Sequence, residues 1–542
     1  MTFLPKMFDR SRAASLRPYG FRLRPGALPR ALIIAGILFF CFIYGGATAL
    51  FVPYLIVPLA LPLVVLALLA IWALPDLQTG PARTLETLFF ASYVSLILWP
   101  NYLAIALPGL PWITVGRLIG VMFTIVLLVC SSVSSRFRSA ISKAMGSAPW
   151  ISIPFCVFLL IQVVSIVFSA NKSQSIDRLI TAEMSWTGAF LAACYLFSQP
   201  GRSQRFVVLL CMMGAVGLAP MVFWEHKLNH VPWAGHVPSF LKVNDPIVDR
   251  IMSGTARHGN VQFRAQGTFS TSLGLSEYIA LTMPFVLYYI LSAQRWLHRA
   301  LAAVARVALV QIALFTQART GMVGIMIAFL ASPLSWAALR FRRTRGDLFS
   351  ASAVYLSPVL FAIGLALTFV VPGLKARIWH SGGDQYSNQS RIDQWHMGIP
   401  KIASHPWGYG ISMGGETLGY TNPAGGLSID SYPLRLALEY GVVGAVLYFV
   451  MIIAAVAYAA RTAWNAAGKD REVDLLAPVA ITLTSFMVMK TVFAQEDNQS
   501  IMFALVAMVA ALHSRARAYA TAPSAAVRRG AVLAPVDAPT SA

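Results

Sequence analysis

Charge is scarce in this sequence, and acid is scarcer than base. Only 12% of the 542 residues are charged. Soluble domains carry about twice that share, so no soluble domain of ordinary size is left over. Asp and Glu number 21 against 42 Lys and Arg, a formal net charge of +21. Cysteine is also rare. Cys41, Cys130, Cys156, Cys194 and Cys211 all fall inside apolar runs, which argues against a disulfide framework and offers no metal-ligand spacing. Apolar/polar alternation is missing as well: runs such as ALIIAGILFF (31–40) do not alternate, which excludes a transmembrane β-barrel.

What the chain has in abundance is apolar sequence, 57% hydrophobic with a mean hydropathy of +0.66. Apolar runs of about 20 residues, the length that crosses a bilayer core, recur throughout. The expected fold class is all-α: a polytopic integral membrane protein with about 14 transmembrane helices. The spans fall near 31–48, 52–74, 84–104, 113–133, 149–169, 181–198, 205–224, 274–293, 300–317, 320–339, 349–372, 432–460, 474–494 and 499–515. Residues 1–30 read as a basic cytoplasmic tail and 516–542, rich in Ala, Pro and Ser, as a disordered one.

Basic residues flank these spans, where they set orientation, and do not point to a nucleic-acid partner. With the N-terminus in the cytoplasm, every inner segment carries at least one basic residue. Examples are Arg83, the group Arg136, Arg138 and Lys143, and the group Arg340, Arg342, Arg343 and Arg345. Outer turns such as 99–112 and 495–498 carry none. Both termini are therefore expected in the cytoplasm. Two large polar segments, 225–273 and 373–431, then fall outside, between helix groups at 31–224, 274–372 and 432–515.

Charges inside spans are costly and mark function by default. Arg117, Glu183, Glu277, Arg319, Arg435, Glu439 and Lys490 all lie toward outer helix ends in this topology, with Arg306 alone in an inner half. Arg435 and Glu439, four apart, suit a local ion pair. In the second loop, residues 387–410 read SNQSRIDQWHMGIPKIASHPWGYG. Ser387 or Ser390 suits the cap of a short helix ending near Ser404, with Arg391, Trp395 and Ile402 on one face. Gly408 and Gly410 suit a tight turn back to the membrane. An arginine followed by an aromatic fits a ligand with phosphate and sugar parts, and equally a helix lying on the bilayer surface. In the first loop, His226, His230, His236 and His258 are too irregular for a metal site, while Trp233, Phe240 and Phe263 offer contacts to sugar or lipid.

Arg391, Trp395, HPWGYG (405–410), Asp430 and LRLALEYGVVG (434–444), preceded by RAQGTFSTSLGLSEYIA (264–280) and QARTGMVGI (317–325), resemble the O-antigen ligase and O-antigen polymerase superfamily. The resemblance covers about residues 260–515. It implies a GT-C-like membrane fold and a glycosyltransferase without metal or other cofactor, acting on undecaprenyl-pyrophosphate-linked oligosaccharide at the outer face. It further implies that Arg264 and Arg319 hold the pyrophosphate, as the bidentate arginine fork would. Where the family has His-Asn at the start of the helix after its large loop, this chain has Asp430-Ser431. Two roles suit Asp430: the base that accepts the acceptor hydroxyl proton and a cap for the helix at Tyr432. Arg391, Trp395, His405, Glu416 and Arg117 are further substrate-binding candidates, and His396 a neighbouring one.

Three functions are consistent with this reading. The first is a polymerase of exopolysaccharide or O-antigen repeat units, acting in the bacterial inner membrane beside a chain-length regulator protein. The second is a ligase or oligosaccharyltransferase that moves the glycan to lipid A core or protein. The third, a flippase for lipid-linked sugars, calls for a midplane site between repeated halves, and no repeat is evident.

Overall fold

The computed structural model describes residue 39 and residues 56–106, 112–243, 245–257, 260–344, 347–372, 382–421, 426–466 and 470–521. The expected span 31–48 apart from Phe39, the tail 1–30, Cys41, His258 and Arg345 lie outside them. The described residues from Ile71 onward form one compact unit, to which every candidate site residue belongs.

The helices in chain order are α1 Ile56–Trp72, α2 Ala82–Leu98, α3 Val115–Val133, α4 Ser135–Ser147, α5 Pro149–Phe168, α6 Lys172–Phe197 and α7 Arg202–Leu228. Then come α8 Pro246–Ser253, the antiparallel strands β1 Thr255–Arg257 and β2 Asn260–Arg264, α9 Ser272–Ser292, α10 Trp296–Thr316, α11 Arg319–Arg343 and α12 Leu348–Val370. The last are α13 Gly382–Ser404, α14 Gly414–Leu418, α15 Tyr432–Asn465, α16 Leu476–Lys490 and α17 Gln499–Thr521. Among the described residues ten helical segments are long and apolar enough to cross a membrane. The fold is an all-α polytopic membrane protein, and ten is the number of spans the described residues support rather than fourteen.

Several expected boundaries shift. Helix α7 runs four residues past 224, and α6 starts at Lys172, nine before 181, because polar first turns carry no hydropathy signal yet still close helical hydrogen bonds. Helix α17 continues to Thr521, so residues 516–521 are helical, and the disordered tail expected at 516–542 can concern only 522–542, outside the described residues. The first polar segment is partly folded. Its helix α8 contributes Val248 and Ile251 to a small core with Tyr102, Ala104 and Val243, against which Trp233 packs. Phe263 of β2 is partly buried against the main core, so only Phe240, 64% exposed, remains open to solvent or lipid.

Helix α17 lies at the centre. Every residue from Ile501 to Leu512 is buried, as the all-round apolar run IMFALVAMVAAL requires. Helices α9 and α16 are enclosed over even more of their length, and α11 packs against both. The α9–α11 contact is close because it is made by small residues. A side chain at Gly321 would sit 2.6 Å from Ser276 Cβ, and one at Gly324 would sit 2.9 Å from Ala280 Cβ and Met489 Sδ.

Candidate active site

The second polar segment is a folded cap rather than a loose loop. Helix α13 begins at Gly382, so Ser387 and Ser390 lie inside it and neither is its cap; it ends at Ser404 as expected. Its buried stripe is Ser390, Gln394 and Gly398, one turn apart. Arg391 and Trp395 flank that stripe, and Trp395 stays 37% exposed. Leu418, Leu434 and Leu438, with Ile402, Tyr409, Tyr420 and Ile429, form a small apolar core that fastens the cap to the start of α15. Lys401 Nζ adds a polar tie, donating to the carbonyls of Thr417 (2.5 Å) and Leu418 (3.0 Å) at the end of α14.

HPWGYG and EYGVVG occur together because they interlock. Helix α15 breaks at Gly441 (φ 72°, ψ 176°), and the turn at 405–410 fills the break. Tyr409 N donates to Leu438 O (2.7 Å), Gly410 N to Glu439 O (3.0 Å) and Val442 N to Pro406 O (3.0 Å). These bonds satisfy backbone groups that an interrupted helix would orphan, a necessity inside a bilayer. Gly408 (φ 87°) lies so close that a side chain there would sit 2.5 Å from Gly441 N. His405 is committed locally: its Nδ1 lies 2.9 Å from Tyr409 Oη, and the two rings are 4.6 Å apart.

Asp430 is clamped by Gln394. The buried amide accepts from Asp430 N (2.9 Å) and donates to Asp430 Oδ2 (3.4 Å), while Ser428 Oγ donates to Oδ1 (3.3 Å). The N-cap of α15 is Ser431, and no side chain caps that helix, so capping is not the role of Asp430. Arg391 feels the same carboxylate. Burial lowers its pKa, and the charge of Asp430 acts in the opposite sense.

Beneath this clamp lies a network of buried and half-buried charges. Arg435 Nε bonds Glu439 Oε1 (2.9 Å), the expected pair, and its Nη2 reaches Glu496 Oε2 (3.4 Å). Arg178 of α6 pairs with the same Glu496, and Tyr432 Oη donates to its other oxygen (3.4 Å). Lys490 and Glu277, both fully buried, pair at 2.8 Å, with Lys490 Nζ 5.2 Å from the Tyr432 ring centre. Asn498 Nδ2 donates to Glu277 Oε2 and to Gly274 O, both at 3.0 Å. Burial, reinforced by Glu277, raises the pKa of the neighbouring Asp497. Isolated ions at this depth would be prohibitively costly; mutual pairing makes them tolerable.

Sequence reasoning misses Arg178, Glu496 and Asp497. Residues 495–498 read as a short outer turn without basic residues, yet Glu496 joins α6, α15 and the approach to α17. The signal that could have found them is the polar run QEDNQ between two apolar helices.

The two phosphate-binding candidates come together. Arg264 Nε donates to Thr316 O (3.0 Å) and Ala265 N to Phe315 O (3.1 Å), which fixes Arg264 against the end of α10, three residues before Arg319. On the other side, Glu225 accepts from Gln266 N (3.0 Å) and Gly267 N (2.7 Å). Arg319 is the first residue of α11, whose N-cap is Ala318 and has no side-chain cap. The Arg264 guanidinium and the start of the long helix that Arg319 opens thus share one locality, which suits a polyanion.

The remaining candidates are peripheral. Glu416 is exposed on α14. Arg117 donates to Trp112 O (3.0 Å) and makes a half-exposed pair with Asp177 (3.7 Å), so it ties α3 to α6 rather than entering the cluster. Glu183 lies in a π-helical turn of α6 without joining the network. His226 stacks on Phe315 at 3.8 Å between ring centres, a packing role. Among the described residues no group of three or more His, Cys, Asp or Glu converges as metal ligands would.

Residues 304–449 match the family model described as O-antigen ligase. The match supports the O-antigen ligase and polymerase superfamily for this chain. It spans Arg319, Arg391, Asp430 and the interlocked turn, and leaves Arg264, Arg178, Glu277, Lys490 and Glu496 outside. No curated protein matches the chain.

Proposed function

We propose that the chain is a membrane glycosyltransferase that polymerises undecaprenyl-pyrophosphate-linked repeat units into exopolysaccharide or O-antigen. In this reading it acts at the periplasmic face of the bacterial inner membrane, with both termini cytoplasmic, inversion at the sugar, no metal, and a chain-length regulator as partner. The observation that carries the reading is the seat of the two arginines: Arg264 is bonded to the Thr316 carbonyl beside Arg319, at a helix start that no side chain caps. A departing pyrophosphate needs fixed positive donors of this kind.

The reaction follows from these groups. The acceptor hydroxyl oxygen attacks the anomeric carbon of the donor and forms the new glycosidic bond. The bond from that carbon to the pyrophosphate oxygen breaks, and its electron pair leaves with the pyrophosphate, held by Arg264 and Arg319. The hydroxyl proton passes to the Asp430 carboxylate, which Gln394 and Ser428 hold in place. Arg391, whose charge that carboxylate feels, and the half-open ring of Trp395 one turn further along α13 serve as sugar contacts.

A second reading, transfer of a finished glycan to lipid A core or protein, is favoured by the family model's own description as a ligase. The departure at Asp430-Ser431 from the family's His-Asn favours the polymerase. Glycan length separates the two. In cells carrying Arg264→Ala, Arg319→Ala or Asp430→Ala at normal protein levels, a lost polymerase leaves single repeat units, whereas a lost ligase leaves long chains on the carrier. Unchanged glycan in all three variants would refute the site. Wild-type behaviour of Asp430→Ala alone would refute only its role as base.

A further inference from the structure

The far end of the same bundle holds a cavity of about 950 Å³. Helices α9 and α16 run from the charge network to this cavity; on α9 the rise from Glu277 to Ser292 at the cavity is about 22 Å. Arg295, Arg340, Arg343 and Arg471 line it against a single acid, Asp474. Arg343 is paired with Asp474 at 2.5 Å, and Arg340 is paired with Asp347. Arg295 and Arg471 make no ion pair among the described residues; Arg471 donates to Gln294 Oε1 at 3.0 Å. Apolar Pro284, Leu339 and Ile481 share the lining with hydroxyl side chains such as Ser332 and Ser335. Trp336, over which Arg340 stacks at 5.3 Å, lies at the rim, and neighbouring Trp296 is 78% exposed. Tryptophan at this level marks a membrane–water boundary, and an arginine excess marks the cytoplasmic one.

We infer that this cavity binds the headgroup of an anionic phospholipid of the cytoplasmic leaflet. The phosphate would sit among Arg295, Arg471 and Arg343, with the acyl chains leaving along Leu339 and Ile481. Three observations point to this ligand. The positive charge exceeds the acids that could neutralise it. Guanidinium groups match a phosphodiester in shape as well as charge. Apolar Pro284, Leu339 and Ile481 lie in the same lining as the arginines, which suits an amphipathic molecule better than a free anion. Basic pockets between helices on the cytoplasmic side are where such headgroups bind. The lipid site uses only residues at this end and does not depend on the reaction proposed at the other.

The test uses the purified full-length protein in neutral detergent, with short-chain phosphatidylglycerol as probe and phosphatidylcholine and inorganic phosphate as comparisons. Phosphatidylglycerol should bind saturably. Arg295→Gln/Arg471→Gln should weaken it about tenfold, while Arg136→Gln/Lys143→Gln, which removes two exposed charges of α4, should change it less than about twofold. Equal loss in both double variants, or none in either, overturns the site. Equal binding of phosphatidylcholine overturns the anionic headgroup. Displacement of the lipid by inorganic phosphate at similar concentration overturns the lipid as the source of the phosphate. If the double variant does not purify, Arg295→Gln decides in the same way, because that side chain is exposed and its loss leaves the helix packing intact.

Discussion

The two ends of the α9–α11–α16 group solve opposite electrostatic problems. At the end that carries the candidate active site, Lys490, Arg435 and Arg178 are matched by Glu277, Glu439 and Glu496, buried or half-buried and mutually bonded. At the other end, four arginines around an open cavity meet two aspartates, Asp474 and Asp347. A balanced, closed network holds helix ends together. An unbalanced, open one leaves positive charge for something else to neutralise. Arg264 and Arg319 concentrate positive charge again inside the first region, beside a helix start that no side chain caps. Charges that build the scaffold are thus distinct from charges placed toward a ligand.

The sharpest way to break this distinction is Glu277→Ala. It leaves Lys490 buried without its counter-charge and should cost about 3–5 kcal/mol of stability, read as a large fall in unfolding temperature in detergent or a loss of folded protein. Glu277→Leu combined with Lys490→Met should recover much of it, since removing both ions removes the desolvation penalty with the pairing. If the single and double variants behave alike, the pair is not a closed structural unit.

Arg319→Ala should do the reverse. Stability should hold while transfer falls about 10²–10³-fold, the usual cost of losing one donor to a developing anion. Folded protein and glycan length, measured together, check this, and a destabilised but active variant would move Arg319 into the scaffold class. Gln394→Ala lies between the two. It frees Asp430 from its clamp and should cost about 1–3 kcal/mol, visible as slower glycan assembly at unchanged donor binding. Arg117→Ala should be smallest, under about 1 kcal/mol, because its pair with Asp177 is half exposed. A large effect on activity there would bring Arg117 back into the site.

Parts of this arrangement are legible in the chain. The ion pair of Arg435 and Glu439 follows from four-residue spacing on one helix, a local property. The break at Gly441 and the turn at Gly408–Gly410 are visible as glycine-rich motifs, but not that one plugs the other, since a sequence does not state which distant backbone groups will satisfy each other. Arg178 escapes notice because it sits in the polar first turns of α6, before the apolar run begins. Glu496 escapes because a four-residue connection reads as solvent-facing whether it faces water or a neighbouring helix.

Local sequence by itself determined the class of the protein, the course of its helices and the excess of basic charge, because hydropathy over about 20 residues is a local sum that a bilayer reads directly. Only the tertiary structure decided which charges meet. It joined Arg178, Arg435 and Glu496 from three separate segments, brought Arg264 beside Arg319, and closed Gln394 onto Asp430 while leaving Arg295 and Arg471 around an open cavity. The physical reason is that a buried charge is stable only with its partner present, and that partner is chosen by helix packing across the bundle rather than by neighbours along the chain.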